Sequence, residues 1–215
     1  MAMAMPSVNR WTPGASYGPV LSQTDLYLLN SGQNTELELN PIIEGKLDKI
    51  PLQFNLVSGY SGTMVPTVNG EPVMHGKDEP ATLPRVSQLI IISKHSPWCT
   101  IVKKDSGVTI GDLCSALFKE YTENTVTEFE LSTVPARIQD HMRRTAGNNF
   151  ATAQGNQVPA GWGYNYPPAN VPDRIRRVDW LRDRVYVDRF DRDDNYARAR
   201  LGFRAPNILV MELIS

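Results

Sequence analysis

The residues that could carry a reaction are few: His75, His95 and His141, with Cys99 and Cys114. His95 and Cys99 lie close enough in sequence to raise a thiol–imidazole pair. A turn that runs into a strand does not make two such side chains converge, however, and a reactive thiol needs an electropositive, partly open pocket. A tetrahedral metal centre is disfavoured as well, because these five residues show none of the short paired spacings that zinc sites use. Gly59-Tyr60-Ser61-Gly62 approaches a nucleophile elbow, but its second glycine is at the wrong offset and no helix follows. The sequence therefore assigns no catalytic, cofactor-binding or metal-binding residue, and expects no cofactor.

Binding chemistry is better represented. Between Arg174 and Arg200 the arginines are interleaved with Asp179, Asp183, Asp188, Asp191, Asp193 and Asp194, and Asp173 precedes them. Alternating signs cancel a field and favour local ion pairs, so a salt-bridged surface is expected there. Nucleic-acid binding through Arg143, Arg144 and Arg174 to Arg184 would need a face free of those aspartates, and it is disfavoured. Asp179 before Trp180 is read as structural, fixing a helix start or pairing with an arginine. Trp162, Tyr164 and Tyr166 sit among Gly, Asn and Pro in the stretch 147–172. Aromatics on such a tether offer contact area for a partner, although they could equally anchor the loop on its own domain. The candidate partner-binding residues are Trp162, Tyr164, Tyr166, Arg174 and Arg177.

The elements that must position these residues centre on Leu83 to Tyr121. Leu89 to Ile92 is an unbroken aliphatic run, as in a strand covered on both faces. After a polar turn at Ser93 to Pro97, Cys99, Ile101 and Lys103 alternate with Thr100 and Val102, as in a partly exposed strand. Thr109 and Asp112 have capping-box spacing. Ile110, Leu113, Cys114, Leu117, Phe118 and Tyr121 then recur at three- and four-residue intervals, giving a helix with one apolar face. Upstream, Leu52 to Val57 reads as a half-buried strand, and Met64 to Val68 against Pro72 to His75 as a hairpin around Asn69-Gly70. Downstream, Thr125 with Glu128 starts a short helix through Val126 and Phe129. A further helix spans about Ala136 to Ala146, with Ile138 and Met142 inward, Arg143 and Arg144 in its last turn and Gly147 as its stop. A short basic helix around Val178, a strand over Val185 to Phe190, a helical turn ended by Gly202 and a last apolar strand over Asn207 to Ile214 complete the chain.

The bulk numbers narrow the class of protein. The 215 residues suffice for one sizeable domain, and a formal charge of -1 supplies no field for a polyanion or an anionic bilayer. No apolar run approaches the ~20 residues that cross a membrane. The N-terminal stretch lacks the basic and apolar regions of a secretory signal, and both cysteines are expected as buried thiols in a reducing compartment. A cytoplasmic protein is the expectation, with a nuclear one left open.

Several of these pieces together resemble DUF6699, a fungal family of domains of unknown function found in mushroom-forming species. They are Leu39-Asn40-Pro41, Leu52 to Leu56, Ala81-Thr82 with Pro84, Leu89 to Ser93, Pro97-Trp98, Val108 to Leu113, and Val178-Asp179-Trp180-Leu181 followed by Phe190. The chain departs from the family pattern at Asn55, where a carboxylate is usual, and in the long aromatic stretch. The resemblance implies a fungal intracellular domain without an assigned reaction or ligand.

The expected architecture is α+β: a flexible arm over 1–36, then a single domain over 37–215. Its sheet is mixed and mainly antiparallel with helices on one face, and the segment 147–172 is an insertion. The element order is compatible with a ubiquitin-like β-grasp core, in which the first hairpin strand and the last strand lie parallel at the centre. The leading functional expectation is a non-catalytic interaction or scaffold module that holds a protein partner through a free strand edge or the aromatic insertion. The alternative is a small-molecule binder or enzyme with a pocket between the sheet and the 147–172 loop. Membrane partners are not expected, and self-association is left open.

Overall fold

A computed structural model describes residues 10–12, 18–30, 37–47, 51–66, 72–153 and 174–215. The chain opens with α1 (Gln23–Asn30), followed by the short strands β1 (Glu38–Leu39), β2 (Phe54–Asn55), β3 (Met64–Pro66), β4 (Pro72–Met74) and β5 (Thr82–Leu83). The central hairpin of β6 (Gln88–Ser93) and β7 (Ser96–Lys103) leads into α2 (Ile110–Glu123), α3 (Glu128–Ser132) and α4 (Ala136–Ala153). Then come α5 (Arg177–Trp180), β8 (Tyr186–Asp191), α6 (Asp194–Leu201) and β9 (Ile208–Ile214). The result is the expected α+β domain with a mixed, mainly antiparallel sheet.

Five strands form the main sheet in the order β2-β8-β9-β6-β7. At its centre β6 and β9 run parallel, with Ile90, Ile91 and Ile92 opposite Ile208, Leu209 and Val210. The hairpin strand and the last strand are thus neighbours, as the two most apolar runs of the chain suggested. Each contributes alternate residues to opposite faces, as a period of two demands. Leu89, Ile91, Leu209, Met211 and Leu213 enter the main core, which α2 and the short strands cover. Ile90, Ile92, Ile208 and Val210 face the other way, where α6 adds a small second cluster through Ala197 and Tyr196.

The β6–β7 turn is tighter than the polar run suggests. Ser93 pairs with Ser96, so only Lys94 and His95 lie in the loop and the strand begins at Ser96. Along β7, Ser96, Trp98, Thr100 and Val102 are buried while Pro97, Cys99, Ile101 and Lys103 are exposed. Cys99 is therefore not a buried thiol; only Cys114, inside α2, is.

Two helix boundaries also differ from expectation. Thr125 is held in an extended bridge with Arg176, and the Val126 N–H donates to the Ile175 carbonyl at 2.8 Å. The cap passes to Thr127, which forms a capping box with Glu130. α3 buries no side chain, and Phe129 is 79% exposed. α4 continues through Gly147 to Ala153. A helical glycine costs about 1 kcal/mol relative to alanine. Burial of Ala146 and Gly147, and a hydrogen bond from Asn149 to Asp179, offset that cost. Arg143 and Arg144 consequently lie in the middle of α4, away from its C-terminal dipole.

Within the stretch read as an arm, Leu26 of α1 and Trp11 are buried. Gln23 accepts from the Asn207 side chain at 2.7 Å, tying α1 to the start of β9.

Candidate functional site

Pro97-Trp98 and Val178-Asp179-Trp180-Leu181 are far apart in sequence and meet in space. Trp98 presents its ring edge-to-face to Tyr121 and to Trp180, with centroids 6.1 and 5.3 Å away. The Trp98 indole N–H donates to Glu130 Oε1 at 2.6 Å. Arg177 lies over the same ring at 4.6 Å and pairs with Glu120. Ser96 and Tyr121 share a 2.6 Å hydroxyl contact, and burial pushes the Tyr121 phenol up to about 12. These contacts fasten α2, α3 and α5 to the start of β7. Arg177, expected to meet a partner, has its guanidinium engaged within the domain; Arg174 is exposed. Trp162, Tyr164 and Tyr166 lie outside the described residues.

Asp179 is the structural residue it was read to be. Its carboxylate accepts from Asn149 Nδ2 at 2.7 Å and from the Arg176 backbone N–H at 2.9 Å, with Arg176 Nε at 3.8 Å. Burial pushes its pKa up, against those hydrogen bonds. It caps α5 and fixes α5 against α4. Asn55, the departure from the family pattern, accepts from the Val57 and Ser58 backbone N–H groups at 2.7 and 3.0 Å. An amide oxygen fills that role as a carboxylate would, so the change leaves the local turn intact.

The histidines and cysteines do not assemble. His95 is in the β6–β7 turn, Cys99 on the exposed face of β7, Cys114 in the core, His141 on α4 and His75 just beyond β4. Among the described residues no hydrogen bond joins a histidine side chain to a cysteine or a carboxylate, and no group of three His, Cys, Asp or Glu could hold a metal ion. Burial pushes the Cys114 thiol up to about 12, so it stays protonated.

Of the features open to a ligand or partner among the described residues, two bear on function. One is the outer edge of β7. Ile90 donates its backbone N–H to the Asn207 carbonyl at 2.9 Å, so its polar groups point at β9. In an antiparallel ladder the residue opposite then points its own polar groups away from β6, and that residue is Ile101. Its backbone faces outward, and its side chain is 53% exposed. No strand among the described residues pairs with that edge.

The other feature is a cavity of about 820 Å³ against α4. Arg137, His141, Arg144 and Asn148 recur at successive turns of one helix face, and Arg182, just after α5, joins them in the lining. Among the described lining residues Asp140 is the one carboxylate. The sequence reading had Arg137, His141 and Arg144 within its helix but left out Asn148, because it ended the helix at Gly147. Arg182 gave no signal of its role.

A mixed sheet packed by helices, with an open β7 edge and a basic cavity, defines the class as an α+β domain. A model of a family of unknown function, DUF6699, matches residues 52–196, and the chain belongs to that family. No curated protein and no solved structure matches the chain. Among the described residues no helix is long and apolar enough to cross a membrane.

Proposed function

We propose that the chain is a non-catalytic protein-interaction module that receives an extended segment of a partner protein as an added strand on β7. The open edge at Ile101 supports this reading: outward backbone donors and acceptors supply the ladder, and an exposed aliphatic side chain supplies the contact. Lys103 at the strand end is a charge of the kind that discourages indiscriminate edge pairing. Trp162, Tyr164, Tyr166 and Arg174 belong to the same proposal as an auxiliary grip. So does the β-grasp description of the core, which rests on the parallel β6–β9 pair beside the hairpin and α2. A fungal, cytoplasmic setting is also part of the proposal, supported by the family resemblance and by two cysteines without a disulfide.

The rival pocket between the sheet and the 147–172 loop has its wall largely outside the described residues, and the cavity against α4 includes one residue of that stretch, Asn148. The test uses the tagged full chain as bait in an extract of its own source cells. Ile101→Pro removes an N–H that β6 does not use, and Ile101→Glu keeps the backbone but charges the contact. Both should lose the specific partners at an unchanged thermal midpoint, whereas deletion of 154–173 should keep them. Retention of every partner by both folded variants would remove β7 as the docking element. Loss on deletion alone would move the grip to the aromatic segment.

A further inference from the structure

We propose that the cavity lined by α4 and Arg182 binds a small molecule carrying two or more oxyanion charges. This stands independently of the β7 edge. Of the acidic residues expected to neutralise the basic segment, five pair away from the cavity, and Asp183 contacts Ser215. Asp188 and Asp191 pair with Arg189, Asp193 with Lys94, Asp194 with Arg204 and Asp179 with Arg176. Arg137 and Arg182 have no hydrogen bond or ion pair from their side chains among the described residues, and both line the cavity with Arg144. Among the described lining residues the carboxylate is Asp140, which Arg143 approaches at 3.4 Å.

Arg182 carries the argument furthest. It holds a left-handed backbone, φ 60°, that a residue with a Cβ adopts at a cost. Its Nε is also buried without a hydrogen-bond partner, and a buried donor left unmade is unfavourable. Among the described residues no hydrogen bond or ion pair of the Arg182 side chain offsets them. The conformation is nevertheless fixed, because the Arg182 backbone N–H donates to the Asp179 carbonyl at 3.2 Å and Asp179 is locked to Asn149 of α4. Guanidinium groups from α4 and from Arg182 line one cavity, and such planar forks match the bidentate geometry of phosphate and carboxylate. The volume suits a metabolite-sized ligand.

Titration calorimetry on the full chain at low salt, with pyrophosphate and citrate as probes, tests the site. Saturable binding of either is expected, and the tighter probe identifies phosphate or carboxylate as the preferred source. Arg137→Gln and Arg144→Gln, at exposed positions, should each weaken it by about tenfold. Asp140→Asn should tighten it. Arg182→Gly should melt no lower than the parent chain, since glycine accepts the backbone conformation, yet bind about tenfold more weakly. Absence of saturable binding by both probes, or binding that all three arginine variants leave unchanged, would overturn the proposal.

Discussion

Asp179 is the one buried carboxylate among the described residues, and its value lies in what it holds apart. Removing it strands the Asn149 amide and frees the α5 start. Asp179→Ala should therefore lower unfolding free energy by about 2–3 kcal/mol in a urea titration, the scale expected when a buried charged acceptor is deleted. Asp179→Asn should not rescue it, because an amide has one acceptor oxygen and the site presents donors to both carboxylate oxygens. The cysteines make a second prediction at this scale. Native protein should react with a thiol reagent at Cys99 alone, and denatured protein at both. Burial raises the Cys99 pKa, more than the nearby Arg200 lowers it, so its labelling should be slow at neutral pH. Labelling of Cys114 in the native state would mean that α2 opens.

At the scale of elements, two helices share one capping device and differ in what rests on it. Thr109 caps α2, whose Ile110, Leu113, Cys114, Leu117 and Tyr121 are buried; Thr127 caps α3, which buries nothing. Loss of either cap should cost about 1 kcal/mol locally. Thr109→Ala should shift the global unfolding midpoint by that amount. Thr127→Ala should appear mainly as faster amide exchange in α3, because that helix can fray without exposing the core. Equal shifts of the global midpoint would show that Glu130, bonded to Trp98, ties α3 into the cooperative unit.

For the whole molecule, pH dependence follows from a few displaced groups. Burial, with Arg184 nearby, keeps the His95 imidazole below its ordinary 6.5. The unfolded chain then binds that proton more readily, so stability falls as pH drops below 6.5. His95→Gln should flatten this slope in thermal melts between neutral and mildly acidic pH. At lower pH, burial would raise Asp112 and Glu130, but hydrogen bonds from Lys104 and Thr109, and from Thr127 and Trp98, outweigh it and hold both carboxyls down. Their contribution is present above the unfolded values of 3.8 and 4.5 and is lost as pH falls through the folded ones. Asp179 acts in the opposite sense. Its raised pKa favours the fold below 3.8, and that gain disappears as pH rises through the folded value.

What the chain's own letters determined was local. The aliphatic runs at 89–92 and 208–214, the alternation through β7 and the capped period of α2 are fixed by short-range sterics and by burial of one face, so they can be read without coordinates. Tertiary structure decided what depends on distant partners. It carried α4 past Gly147, because Asp179 waits 30 residues on to bond Asn149. It moved the α3 cap from Thr125 to Thr127, because Arg176 occupies Thr125, and it gathered Trp98, Tyr121 and Trp180 into one stack. It also set Arg182 in one cavity with the α4 arginines. No spacing rule could announce that cavity, since its walls are brought together by a buried carboxylate whose partner the linear order does not reveal.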